Sequence, residues 1–180
     1  MLLDIGVGIL SSIALSRFFG ISLSVAFISA GILFALLPDI DFLASFKKSM
    51  GAKGHEHRDI LHYPLLFTPI GTIILSFFNY QLAILFALTT FLHFVHDSIG
   101  IGWGVQWLYP FSRNHYAFLY QYDSPQKLVY VWTPEEVKKL SDEYGDPDWV
   151  KNIYFKFHPY AIVELLVFIL AIIVLIKSYL

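Results

Sequence analysis

The sequence predicts an all-α membrane protein: a polytopic bundle of about five transmembrane helices with a cytoplasmic interfacial segment. Three observations predict it, namely the composition, five apolar runs of near-helix length, and the confinement of most basic residues to two polar stretches. With 57% hydrophobic residues, 14% charged residues and a mean hydropathy of +0.62, the chain is too apolar for an ordinary soluble domain. At about 20 residues per span, 180 residues hold a single membrane-embedded domain, 1–180, of roughly four to six spans. A net charge of -2 with no basic patch gives no nucleic-acid footprint. Cysteine is absent, so any metal ion must be held by nitrogen and oxygen donors.

The apolar runs extend from Leu2 to Phe19, Ile21 to Leu37, Pro64 to Phe78, Leu82 to Ile99 and Ala161 to Ile176. The first lacks a basic n-region and a small-residue cleavage site, so it reads as a retained helix rather than a leader. Pro64 suits a helix start, where the backbone N–H would have no intrahelical partner, and Pro69 is expected to kink the third helix. Asn79 and Tyr80 mark a tight turn between the third and fourth runs. With that turn, the stretches following the second and fourth runs lie on one side. They carry all but Arg17 and Lys177 of the 12 Lys and Arg residues. The positive-inside rule makes that side cytoplasmic, in a multi-pass protein of the inner or plasma membrane.

Three short clusters of metal-ligating side chains fall at this cytoplasmic level: Asp39 and Asp41 in LPDID, His57 and His62 in HRDILH, His93 and Asp97 in HFVHD. Asp39 and Asp41 could turn both carboxylates to one cation if the backbone after Pro38 is extended; otherwise they form a solvated helix stop. His57 and His62 would be about 140° apart on a continuous helix, so they share an ion only if His57 precedes the helix. Arg58, between them, offers a planar fork for a phosphate or carboxylate. His93 and Asp97 are four apart on one helical face, and ionisable residues in an apolar span read as functional by default. His96 is expected behind them or toward another helix. Asp4 opens the first run at the same level and could complete the ligand set. Glu164, inside the fifth run, could be a ligand, a general base or a charge partner for Arg58. His55, His115 and His158 are isolated and read as interfacial.

Residues 103–157 form the one long polar excursion and read as a cytoplasmic lid. Its first part, with Trp103, Trp107, Tyr109, Phe111 and Tyr116, has the aromatic density of a membrane interface. Its second part predicts two short helices, one capped by Thr133 with Pro134 and Glu136 behind it and running to Gly145, the other capped by Asp146 before Pro147.

Taken in order, LPDID, HRDILH, HFVHD and the following LYPF resemble the signature of the YdjM-type family of membrane-bound, predicted metal-dependent hydrolases, over roughly Leu36 to Phe111. Members of that family carry a Thr-His pair near the N-terminus, where Asp4 stands here. Their HRGxTHS appears as HRDILHY, so Asp59, Leu61 and Tyr63 depart from the pattern while both histidines remain. The resemblance implies metal-assisted hydrolysis by one or two divalent ions, zinc foremost, with manganese or iron as alternatives. Asp39, Asp41, His57, His62, His93, Asp97 and Asp4 would supply ligands, and Arg58 and Glu164 would serve catalysis. A site flanked by interfacial aromatics favours a lipid or lipid-linked phosphoester, with membrane lipids as the surrounding partners. The alternatives are a metal-ion transporter or a non-catalytic membrane protein with a structural metal.

Overall fold

The computed structural model describes residues 1–40, 61–120, 125, 127–146 and 148–180. Their helices are α1 (Leu2–Phe19), α2 (Val25–Leu36), α3 (Pro64–Ser76), α4 (Tyr80–Asp97), α5 (Pro134–Tyr144) and α6 (Pro159–Tyr179). Local chemistry sets their ends. Gly20 closes α1 at φ 65°, the left-handed conformation that glycine adopts without a Cβ penalty. Ser24 and Asn79 start α2 and α4, their side chains accepting from Phe27 N and Leu82 N at 3.1 and 2.9 Å. Pro64 stands in the first turn of α3, and Pro69 lies inside it. Among the described residues, two helices, Leu2–Phe19 and Pro159–Tyr179, are long and apolar enough to cross a membrane; Val25–Asp39 and Pro64–Ser76 are apolar but shorter.

α1 sits at the centre, packed on α2, α4 and α6, while α2 also meets α4 and α3 leans on α4. Ile9, Ile13, Ile28 and Ala171 form a core cluster that joins α1, α2 and α6. Phe34 of α2 and Phe67 of α3 both pack on the ring of Phe86 in α4, with centroids 5.2 and 5.7 Å away. Large apolar side chains face outward: Val163, Leu166, Leu170 and Ile176 on α6 are all at least half exposed. That is the pattern of a chain whose solvent is lipid.

The α1–α2 crossing depends on small residues. A Cβ placed on Gly31 would lie 2.6 Å from the Gly8 carbonyl oxygen and would also strike Ser12 Oγ, so the two backbones meet because neither glycine has a side chain. Gly31→Ala is expected to cost about 1–3 kcal/mol through overpacking, read as a lower melting temperature of the purified protein in detergent. An unchanged melting temperature would show that the helices can part without loss.

The excursion between α4 and α6 departs from an all-helical reading. His115–Phe118 (β1) and Val129–Trp132 (β2) pair antiparallel, His115 opposite Trp132 and Phe118 opposite Val129. Tyr120 packs edge-on against Tyr130 and Trp132 of β2, the three centroids lying 4.9 to 5.7 Å apart. Aromatic and β-branched side chains alternate in VYVW, and pairing satisfies backbone groups that a loop would leave open. α5 follows the Thr133 cap, with Thr133 and Glu136 in a reciprocal capping box. The second short helix is instead a π-helical turn, Lys151–Phe155.

Candidate metal centre

The helix ends place four ligand atoms together. Pro38 ends α2 in a 3₁₀ turn, Leu37–Asp39, that carries Asp39 past the helix. His62 lies immediately before α3, outside regular helix, and is fully buried. His93 and Asp97 share one face in the last turns of α4. His62 Nε2 lies 3.2 Å from Asp97 Oδ2 and 3.5 Å from Asp39 Oδ1. His93 Nε2 lies 3.7 Å from each of the same two oxygens. Each of the four residues therefore offers one donor atom within 4.8 Å of the other three.

These separations suit a cation. Four donors at about 2.1 Å from a tetrahedral ion stand roughly 3.4 Å from one another, close to the observed spacing. His93 Nε2 is buried without a hydrogen-bond partner among the described residues, as expected of a nitrogen whose lone pair faces an ion. Two imidazoles and two carboxylates, with no thiolate, suit zinc, manganese or iron. Asp39 keeps 24% of its side-chain surface exposed against 0% for both histidines, so it marks the open side.

Asp4 takes a different place from that of a fifth donor. Its Oδ1 lies 3.2 Å from Nδ1 of His93 and 3.2 Å from Nδ1 of His96. One buried carboxylate oxygen thus accepts from two imidazoles, and each ring is left with Nε2 pointing away from Asp4. For His93 that direction is the four-residue group. For His96 it is Glu164, whose Oε1 lies 3.7 Å from Nε2. Glu164 is 2% exposed; its Oε2 accepts from Leu2 N at 3.1 Å, and its Oε1 from the Tyr154 hydroxyl at 3.0 Å. Burial and the adjoining Glu164 carboxylate push the Tyr154 phenol well above its ordinary pKa, so it stays a neutral donor. The Met1 amine lies 3.0 Å from Asp4 Oδ2 and 3.3 Å from Glu164 Oε2. Burial opposes its charge, but the two carboxylates outweigh that and raise its pKa.

Of the sequence-predicted site residues, Asp39, His62, His93 and Asp97 come together, with Asp4 and Glu164 against their flank. Asp41, His57 and Arg58 lie outside the described residues, as does His55. His115 is buried on β1 against Gln106 at 3.0 Å, and His158 caps α6, so neither joins the group. The LYPF stretch reaches the site through Tyr109, which stacks on Tyr63, the neighbour of His62, at 4.1 Å. Tyr154 was not singled out by sequence; it is one aromatic among many in its segment.

No curated protein and no solved structure matches the chain. The sequence profile described as the YdjM inner membrane protein matches residues 4–179, from the carboxylate behind His93 to the end of α6, and the chain belongs to that family.

Proposed function

We propose that this chain is a membrane-bound, metal-dependent hydrolase that cleaves a phosphoester in a lipid or lipid-linked substrate at the cytoplasmic face of the inner membrane. The observation that carries the reading is the convergence of Asp39, His62, His93 and Asp97 on one point at the end of a helix bundle. Asp39, His62, His93 and Asp97 would hold the ion, and Asp4 would fix the His93 ring through Nδ1, leaving Nε2 for coordination. When bound, a divalent cation supplies an acidified water and polarises the phosphoryl oxygen. Asp39 borders the side from which water and ester approach, while the buried histidines close the other side. Arg58, by its place in HRDILH, would meet the anionic ester group. An apolar recess of about 460 Å³, lined by residues including Phe34, Leu37, Leu61, Tyr63 and Phe67, adjoins the residues beside Asp39 and His62 and favours an acyl-bearing substrate.

Transport is less well supported, because these donors sit at helix ends, whereas transporters gather theirs near the bilayer midplane. Purified protein is expected to release phosphate from phosphatidic acid in mixed micelles, to stop when chelated, and to recover with zinc or manganese. Turnover confined to water-soluble esters would refute the lipid substrate, and turnover indifferent to chelation would refute the metal.

A further inference from the structure

We propose that the outer face of the β1–β2 hairpin is seated in the membrane surface, buried among the headgroups and upper acyl chains of the bilayer. The inference stands apart from the metal reading and holds whether or not the four-residue centre binds an ion. Its first support is the pattern of the hairpin. In the observed register His115, Ala117, Tyr130 and Trp132 share one face, and Tyr116, Phe118, Val129 and Val131 share the other. The first face is turned inward, with His115, Ala117 and Tyr130 buried. The second is turned outward, with Val129 51% and Val131 49% exposed. An antiparallel pair that shows one face to water carries polar side chains on it. Here the four outward residues are apolar or aromatic, and exposed Leu119 and Leu128, hydrogen-bonded to each other through their backbones, extend the patch.

The hairpin's position argues for lipid as the cover. Asp4, in the first turn of α1, lies 3.2 Å from both His93 and His96, so the end of α4 is level with one end of a helix long and apolar enough to cross a membrane. β1 is tied to that end, Gly100 N donating to the Phe118 carbonyl at 3.0 Å. On its other edge β1 bridges to Val105, and the chain there folds back along α4. Trp107 packs edge-on against Phe91 at 5.7 Å, about 9 Å of helix rise back from Asp97. Phe91 is half exposed on the outside of the bundle, so the segment beside β1 continues the apolar flank of α4. Phe111, in the same turn, is 87% exposed, and an aromatic ring so placed belongs at a lipid boundary. The character of the exposed residues changes after Trp132. On α5 they include Glu135, Lys138, Lys139 and Glu143, which belong in water. The boundary between lipid and water then runs between β2 and α5.

The chain has no cysteine, so a single one can be labelled without background. Val129→Cys, Val131→Cys and, as the water-side control, Lys139→Cys are each coupled to a nitrobenzoxadiazole dye. The full chain is then reconstituted in vesicles of phosphatidylethanolamine and phosphatidylglycerol. Both hairpin labels are expected to emit to the blue of the Lys139→Cys label, and to be quenched several-fold more strongly by lipids bearing a nitroxide near the headgroup. Hairpin labels that match Lys139→Cys in colour and quenching overturn the proposal and put the face in water. Blue-shifted emission without nitroxide quenching overturns it too, because protein then covers the face; loss of the shift on dilution with lipid would identify a second copy as that cover. Two hairpin positions guard against one substitution that disturbs the strand, and melting in detergent reports on each. Metal content does not enter the readout, so a chain that binds no zinc still decides the question.

Discussion

Replacing His62 with alanine is expected to abolish stable metal binding, with zinc affinity at the four-residue centre falling more than about 100-fold. Loss of a partner that only orients a ligand already costs roughly 10–100-fold, and His62 would be a ligand itself. Its Nε2 is the atom nearest both carboxylates, at 3.2 Å from Asp97 and 3.5 Å from Asp39. Without it, two carboxylate oxygens face one remaining imidazole, and the charge of an ion is poorly matched by three donors. The measurement is competition against a fluorescent chelator, with gel filtration to show that the variant elutes as the wild type does. An affinity within threefold of wild type would mean that the four side chains meet for packing or mutual hydrogen bonding and hold no ion.

The second large effect is expected at Asp4. Asp4→Asn keeps the shape of the side chain but removes the charge that accepts from two imidazoles at 3.2 Å each. His93 and His96 then lose the partner that fixes their tautomers, and the His93 Nε2 is no longer held toward the four-residue centre. Affinity for zinc should fall about 10–100-fold, equivalent to roughly 1.4–2.8 kcal/mol. Asp4→Leu, which leaves both Nδ1 atoms without an acceptor, should cost more than Asp4→Asn. Equal affinities in Asp4→Asn and wild type would show that packing alone sets the ring of His93, for example its edge contact with Phe94 at 5.6 Å.

Much of this arrangement can be read from the chain, and the reason is topological. A tight turn at Asn79 and three clusters next to apolar runs are enough to bring Asp39, His62, His93 and Asp97 to a common level. Spacing does the rest for His93 and Asp97, which need only a helix to share a face. What sequence did not resolve is how each side chain turns once it arrives. Asp4 and the ligands occupy the same depth, so depth alone cannot separate a donor to the ion from a carboxylate behind a histidine. The Tyr154–Glu164 contact joins a π-helical turn to the first turns of α6, and no periodicity marks it. The hairpin was legible in principle, since VYVW alternates β-branched and aromatic residues, but the same aromatics also fit a membrane interface. Runs such as Val25–Leu36 and Pro64–Ser76 are helical where expected yet only about 18–20 Å long by helix rise, short of the ~30 Å hydrocarbon core.

The order of the donors along the chain also bears on biosynthesis. Asp4, Asp39, His62, His93, His96 and Asp97 are all synthesised before Tyr154 and Glu164. At about 5–20 residues per second, the 67 residues from Asp97 to Glu164 take roughly 3–13 s. During this interval the four donors of the centre are complete in covalent terms, yet α6, whose Glu164 packs beside His96, does not exist. An ion captured then is bound before Glu164 and Tyr154 cover the flank formed by Asp4 and His96.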